Sequence, residues 1–158
     1  MFAATMKRFF LTTILTVVIV GVLVHFMPRS FDTYVSKLSA DATVTIFCRQ
    51  TELAAVDTGM GFMVQCSADD FAATAAQCRS IDGVTVSFPA SFEEVQKLCK
   101  FFGLKVTSTY EQDGLFVVSG ASSMLSGGVM IAGELVNLQI AHKDGVVHLG
   151  SPLILGDY

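Results

Sequence analysis

The stretch LKVTSTYEQDGLFVVS, residues 104–119, joins two runs rich in β-branched and aromatic residues through an Asp-Gly pair. Such runs favour strands, and Asp-Gly favours a two-residue hairpin turn. We therefore predict antiparallel strands at Leu104–Tyr110 and Leu115–Ser119. Asp144-Gly145 predicts a second hairpin near the carboxyl end, between Glu134–His142 and Val146–Leu149. Both hairpins indicate an antiparallel sheet.

A helix is predicted immediately before residue 104. Ser91 and Glu94 stand three apart, as in a capping box, and open a run with helical apolar spacing that stops at Gly103. The spacing gives this helix a buried stripe of Phe92, Val95, Cys99 and Phe102.

The preceding residues predict two strands, a helix and a third strand. Alternation indicates strands at Ala42–Cys48 and Gly61–Cys66. Ser67 is a typical N-cap for a helix that runs to Cys78, and a turn at Ile81-Asp82-Gly83 leads to the strand Val84–Phe88. The expected fold class is α+β, a curved antiparallel sheet with two helices packed on one face, preceded by one transmembrane helix.

Residues 9–27, FFLTTILTVVIVGVLVHFM, predict that membrane segment. They contain no Asp, Glu, Lys or Arg, and they are long enough to cross a bilayer as a helix. Lys7 and Arg8 before the run favour a cytoplasmic amino terminus. A cleaved signal peptide is the alternative, because Ala40-Asp41-Ala42 has the small-x-small form, but this triplet lies far beyond the apolar run.

This segment sets the expected domain organisation and location. We expect a cytoplasmic tail at residues 1–8, an anchor at 9–27, a juxtamembrane linker at 28–41 and an extracytoplasmic domain at 42–158. The chain is expected at the cell membrane as a single-pass protein, or secreted if the segment is cleaved.

The charge distribution argues against one class of partner. All fourteen carboxylates follow residue 27, against eight Lys and Arg, so the external part carries a charge of −6. A negative field repels phosphate backbones, so nucleic acid is not an expected partner.

The four cysteines form no CxxC pair, which argues against zinc ribbons and thioredoxin-like motifs. A hairpin centred near Asp57 would place Cys48 opposite Cys66, and a disulfide between them is one expectation. The alternative is that all four cysteines are buried apolar residues.

No catalytic, cofactor-binding or metal-binding residue is assigned, and no cofactor is expected. A two-residue turn at Asp144-Gly145 places His142 opposite Val147 and His148 opposite Ala141, on different faces of the sheet, so the pair would not share a metal. Ser119, Ser122 and Ser123 lie beside glycine without a nucleophile-elbow motif. We therefore expect a non-catalytic module, with an enzyme kept as the alternative.

The carboxyl end carries a resemblance. The stretch Val136-Asn137-Leu138-Gln139-Ile140-Ala141, a short hairpin, then Leu149-Gly150-Ser151-Pro152-Leu153-Ile154 and the closing Tyr158 resemble the end of YwmB-type proteins. The resemblance covers about twenty-three residues. It implies a secreted or membrane-anchored Firmicute protein of unknown function with a TATA-box-binding-protein-like fold, and it implies no catalytic residues.

Residues 120–133, GASSMLSGGVMIAG, carry the functional prediction. They are apolar and uncharged, and they fit either an irregular strand with a bulge or a mobile loop. If exposed, they would be an interaction surface for an envelope protein or for self-assembly, formed by Met124, Leu125, Val129, Met130 and Ile131. The alternatives are an envelope hydrolase and a small-ligand or peptide-binding domain on an open sheet face.

Overall fold

The computed structural model describes residues 31–156. Within them lie three helices, α1 (Phe31–Val35), α2 (Phe71–Ala75) and α3 (Glu93–Phe101). The strands are β1 (Thr43–Thr51), β2 (Val56–Asp57), β3 (Phe62–Ser67), β4 (Cys78–Pro89), β5 (Lys105–Gln112), β6 (Leu115–Ala121), β7 (Val129–Ile131), β8 (Glu134–Val136), β9 (Leu138–Lys143) and β10 (Val146–Ser151).

Eight of these strands form one antiparallel sheet in the order β2-β3-β1-β4-β10-β9-β6-β5. The strands β7 and β8 form a separate hairpin. Alternate residues of the central strands point to one apolar core, as Val44 and Ile46 do in β1 and Val147 and Leu149 do in β10. All three helices add side chains to this same core cluster.

The predicted α+β class with two helices was wrong. Strands hold 49% of the described residues and helices only 15%, in three short segments. The largest difference lies at residues 69–83, where a long helix and a turn were expected. Helix α2 ends at Ala75. Strand β4 begins at Cys78, because Cys78 pairs with Thr51 at the end of β1. A bulge in this ladder and a positive φ at Ser80 let the strand continue through the predicted turn.

Both predicted Asp-Gly hairpin turns are confirmed, but the strand predicted at Glu134–His142 is divided at Asn137, since Glu134–Val136 pairs with β7 and only Leu138–Lys143 belongs to the hairpin with β10. Asp113 and Gly114 have φ of 49° and 78°, and Asp144 and Gly145 have φ of 50° and 78°, as a type I′ turn requires. The registers follow from these turns, with Gln112 opposite Leu115 and Lys143 opposite Val146.

Helix α3 lies where it was predicted, but its ends and its buried face differ in part. Gly103 takes a φ of 56° after the helix, and the Leu104 nitrogen donates to the Cys99 carbonyl, which closes the last turn. Glu94 pairs with Lys97 at 3.2 Å instead of capping the first turn. Phe92 is exposed, and the buried residues are Val95, Leu98 and Phe102.

Helix α1 lies within the region predicted as a linker, and it packs into the core. Phe31 and Val35 are buried. The Tyr34 ring lies 5.4 Å from the Phe101 ring and 5.5 Å from the Phe102 ring, centroid to centroid. The packed core therefore includes residues from Phe31 onward.

The predicted membrane segment at residues 9–27 lies outside the described residues. Among residues 31–156, no helix has the length and hydropathy needed to cross a membrane.

Candidate functional site

The segment predicted as the interaction surface divides into an anchored loop and a small hairpin. Residues 122–128 form the loop, and β7 and β8 form the hairpin with Ala132 and Gly133 at its turn. These two residues have φ of 50° and 86°, so the turn matches the twist of the strands.

A buried polar network attaches this segment to the sheet. The amide group of Asn137 receives a hydrogen bond from the Ser122 nitrogen at 2.7 Å and donates to the carbonyls of Ser122 and Leu125 at 2.9 and 3.1 Å. The Ser122 hydroxyl donates to the carbonyl of Phe102, just beyond α3. Because Asn137 and Ser122 are both buried, these bonds fix the base of the loop.

The hairpin exposes three large apolar side chains. Met130 is 66% exposed, Ile131 45% and Leu135 42%. Met130 lies directly opposite Leu135, so the two share one face of the hairpin. Val129 and Val136, the next pair in register, point to the other face, and Val136 is buried there. The Met130–Leu135 face is therefore the outer one.

The five residues predicted to form the interaction surface differ in their solvent exposure. Met130 and Ile131 are exposed. Met124, Leu125 and Val129 are half-buried, and Leu125 packs against the core cluster. Leu135 belongs to the exposed face and was missed, because it lies beyond the uncharged run and only its pairing with Met130 reveals it.

A second apolar feature is a groove of about 370 Å³ between α3 and the β5–β6 pair. Phe92, Val95, Val106, Phe116 and Val118 line it. The Phe92 ring packs edge-on against the rings of Phe116 and His142, at 5.0 and 5.7 Å between centroids. Nε2 of His142 is buried and has no hydrogen-bond partner among residues 31–156.

The two strand histidines point to different faces, as predicted, with His142 opposite Val147 and His148 opposite Ala141. In addition, His148 lies opposite Ser87 on β4, and its Nδ1 is 2.8 Å from the Ser87 hydroxyl. Burial, with the positive charges of His142 and Lys143, lowers the pKa of His148. Sequence reasoning missed this pair, because its members are 61 residues apart.

The Ser87–His148 pair has the residue types of a proton-transfer dyad, but its setting favours a structural role. Both residues belong to central strands, since β4 lies between β1 and β10, and β10 lies between β4 and β9. Backbone N–H groups of central strands are used in the sheet ladders, so they do not supply an oxyanion hole. We interpret the contact as a cross-strand hydrogen bond.

The cysteines do not pair as the hairpin argument expected. Cys48 lies opposite Phe62, and Cys66 lies opposite Val44, four positions further along the strand. Four positions span about 13 Å, beyond the reach of a disulfide. The loop between β1 and β3 centres near Ala55 and not near Asp57, which accounts for the shift. All four cysteines are free thiols.

The thiol environments do not favour reactivity. Burial raises the pKa of Cys48 to about 11, and its hydrogen bond with Cys78 contributes. Burial also raises the pKa values of Cys66 and Cys99. A thiol with a raised pKa stays protonated at neutral pH and is a poor nucleophile or metal ligand. Among residues 31–156, no group of three His, Cys, Asp or Glu side chains is arranged to hold a metal ion.

Comparison with known proteins gave no match to a family model, a curated protein or a solved structure.

Proposed function

We propose that this chain is a non-catalytic protein-binding module of the bacterial envelope. In this proposal residues 9–27 anchor it in the membrane, the domain lies outside the cytoplasm, and the contact surface is the outer face of the β7–β8 hairpin. The single observation that carries the proposal is the exposed Met130–Leu135 pair, with Ile131 beside it.

Exposure of these apolar side chains to water is unfavourable for a monomer. Exposed apolar side chains gathered on one element lower solubility, and such patches are typical of interaction sites. Met130, Ile131 and Leu135 lie within six residues on a hairpin that is held by the Asn137 network. Met130 and Leu135 share the outer face, whereas Ile131 is exposed on the opposite face of the hairpin. A hairpin with a fixed base holds the Met130–Leu135 pair in one orientation, which reduces the entropy lost on binding.

The test is a pair of matched double variants of the full chain. Met130→Asp with Leu135→Asp adds two charges to the proposed surface, and Val56→Asp with Met60→Asp adds two charges to exposed apolar residues in and beside β2, the short edge strand of the main sheet. Partner recovery from solubilised membranes is measured by affinity purification, and the melting temperature is measured on the same samples. We expect the hairpin variant to lose most of its recovered partner, with a melting temperature within a few degrees of the parent.

Two results would contradict the proposal. Equal loss of the partner in both double variants would point to a general charge effect. Unchanged recovery in the hairpin variant would remove the hairpin as the contact surface.

The location is tested separately. Ala55 is exposed in the loop before β2, and Ala55→Cys introduces an accessible thiol there. A membrane-impermeant maleimide should label this variant in intact cells above the level of the parent, whose four cysteines are buried or half-buried. Labelling only after lysis would overturn the extracytoplasmic placement.

A further inference from the structure

The packed domain begins very close to the proposed membrane anchor. Phe31 is buried in the core, with its ring 6.4 Å from the Phe102 ring, centroid to centroid. Only residues 28–30 separate it from the anchor at 9–27, so the backbone from Met27 to Phe31 spans at most about 14 Å in any conformation. The headgroup layer is itself about 5–8 Å deep on each side of the hydrocarbon core. The end of the domain that contains Phe31 therefore lies against the membrane surface.

A cavity of about 590 Å³ identifies the residues at this end of the domain. Phe31, Phe47, Arg49 and Ile81 all contribute to its lining. The chain leaves the cavity along α1 and returns to it along β1, which carries Phe47 and Arg49. Ser151, the last residue of β10, also lines the cavity. The anchor therefore joins the domain at the end of the sheet where β10 finishes.

Two large apolar side chains are exposed at the same end. Met60 is 74% exposed in the turn between β2 and β3, and Ile81 is 41% exposed in β4. Arg49 joins the two segments. Its Nε pairs with Asp82, the neighbour of Ile81, and its Nη1 donates to the Met60 carbonyl at 3.0 Å. Exposure of both side chains to water is unfavourable, whereas the interfacial layer of a membrane accepts such groups.

The charges at this end favour an apolar contact with lipid over an electrostatic one. The charged residues among those that line the cavity are Asp32, Arg49 and Asp82, which are two carboxylates and one guanidinium. Arg49 is already paired with Asp82. The cavity thus lacks the cluster of basic side chains that attracts anionic headgroups.

We propose that Met60 and Ile81 rest in the interfacial layer of the membrane, at the boundary between headgroups and acyl chains, and that this contact orients the domain on the bilayer. The inference rests on the membrane anchor of the proposed function and not on the hairpin contact. The turns at Asp113 and Asp144 then face away from the membrane. The turn at Asp144 lies about 20 Å from the cavity, because β10 runs between them to Ser151.

Depth-dependent fluorescence quenching tests the proposal with the full chain in phosphatidylcholine vesicles, which carry no net charge. Met60→Cys and Ile81→Cys place a thiol at the proposed contact, and Asp113→Cys and Asp144→Cys are controls at exposed positions of the far end. Each variant is labelled with a polarity-sensitive fluorophore, and the signal of the labelled parent is subtracted for the native thiols. We expect lipids with a nitroxide high on the acyl chain to quench most of the emission at Met60 and Ile81. The two control sites should lose little emission.

Flotation of the same vesicles separates this proposal from the anchor. A chain that does not float with the vesicles would contradict the anchor and the lipid contact together. A chain that floats with unquenched probes at Met60 and Ile81 would overturn the lipid contact alone and leave this surface to solvent or to a protein. Equal quenching at all four sites would also overturn it, because the label and not the orientation of the domain would then account for the signal.

Discussion

The Ser122 backbone nitrogen donates a hydrogen bond to the side-chain oxygen of Asn137 across 2.7 Å, although fifteen residues separate them. Asn137 is the single residue between β8 and β9, and its own backbone nitrogen donates to the Gly120 carbonyl at 3.0 Å. It therefore joins the end of β6, the loop and the hairpin at one buried point. The orientation of the exposed Met130–Leu135 face depends on this junction.

Asn137→Ala should destabilise the domain by about 2–3 kcal/mol. The substitution removes the side-chain hydrogen bonds to the Ser122 nitrogen and to the carbonyls of Ser122 and Leu125, and these backbone groups are left without that partner. Urea denaturation followed by circular dichroism measures the loss. Ser123→Ala is the matched control, since Ser123 is exposed in the same loop, and it should change stability by less than about 0.5 kcal/mol. Equal stability of both variants would contradict a structural role for the junction.

Phe31→Ala should destabilise the domain by about 3–4 kcal/mol, since it opens a cavity beside Phe102. Lys37→Ala, an exposed position just after α1, is the control and should be nearly neutral. Chemical denaturation distinguishes the two. A neutral Phe31→Ala would show that α1 is only a linker, as the sequence alone predicted.

Acid should destabilise the parent through His148. Its pKa is lowered in the folded state, so the unfolded chain binds the proton more tightly. The stabilising effect is complete above the ordinary pKa of about 6.5 and is lost as pH falls through the lower folded value. His148→Gln should therefore flatten the fall in melting temperature between about pH 6.5 and 5. An unchanged slope would assign the dependence to other groups.

The sequence predicted the features that local chemistry determines. Both Asp-Gly turns, the Gly103 end of α3 and the opposite faces of His142 and His148 follow from backbone preference and strand period. Prediction from the sequence was wrong where pairing between strands that are distant in the chain determines the structure. Residues 78–83 join the ladder of β1 against their local turn signal, and the register of β1 with β3 separates Cys48 from Cys66.

The candidate site was predictable only in part, because some of its residues are brought together by strand pairing and not by local sequence. The uncharged run located Met130 and Ile131, but Leu135 joins them only through the β7–β8 register. Asn137 carried no sequence signal, since a buried asparagine is recognisable only from the backbone groups around it. The resemblance of the carboxyl end to YwmB-type proteins stays a prediction.

The most direct test of the central claim is photo-crosslinking in intact cells, with a benzoylphenylalanine residue placed at Met130 of the full chain. If the hairpin is the contact surface, irradiation should give one discrete adduct with another envelope protein, and adding Leu135→Asp should remove it. The same residue at Val56, which is about as exposed as Met130 but lies in the edge strand β2 of the main sheet, should give no such adduct. No adduct at Met130, or the same adduct from both positions, would contradict the account.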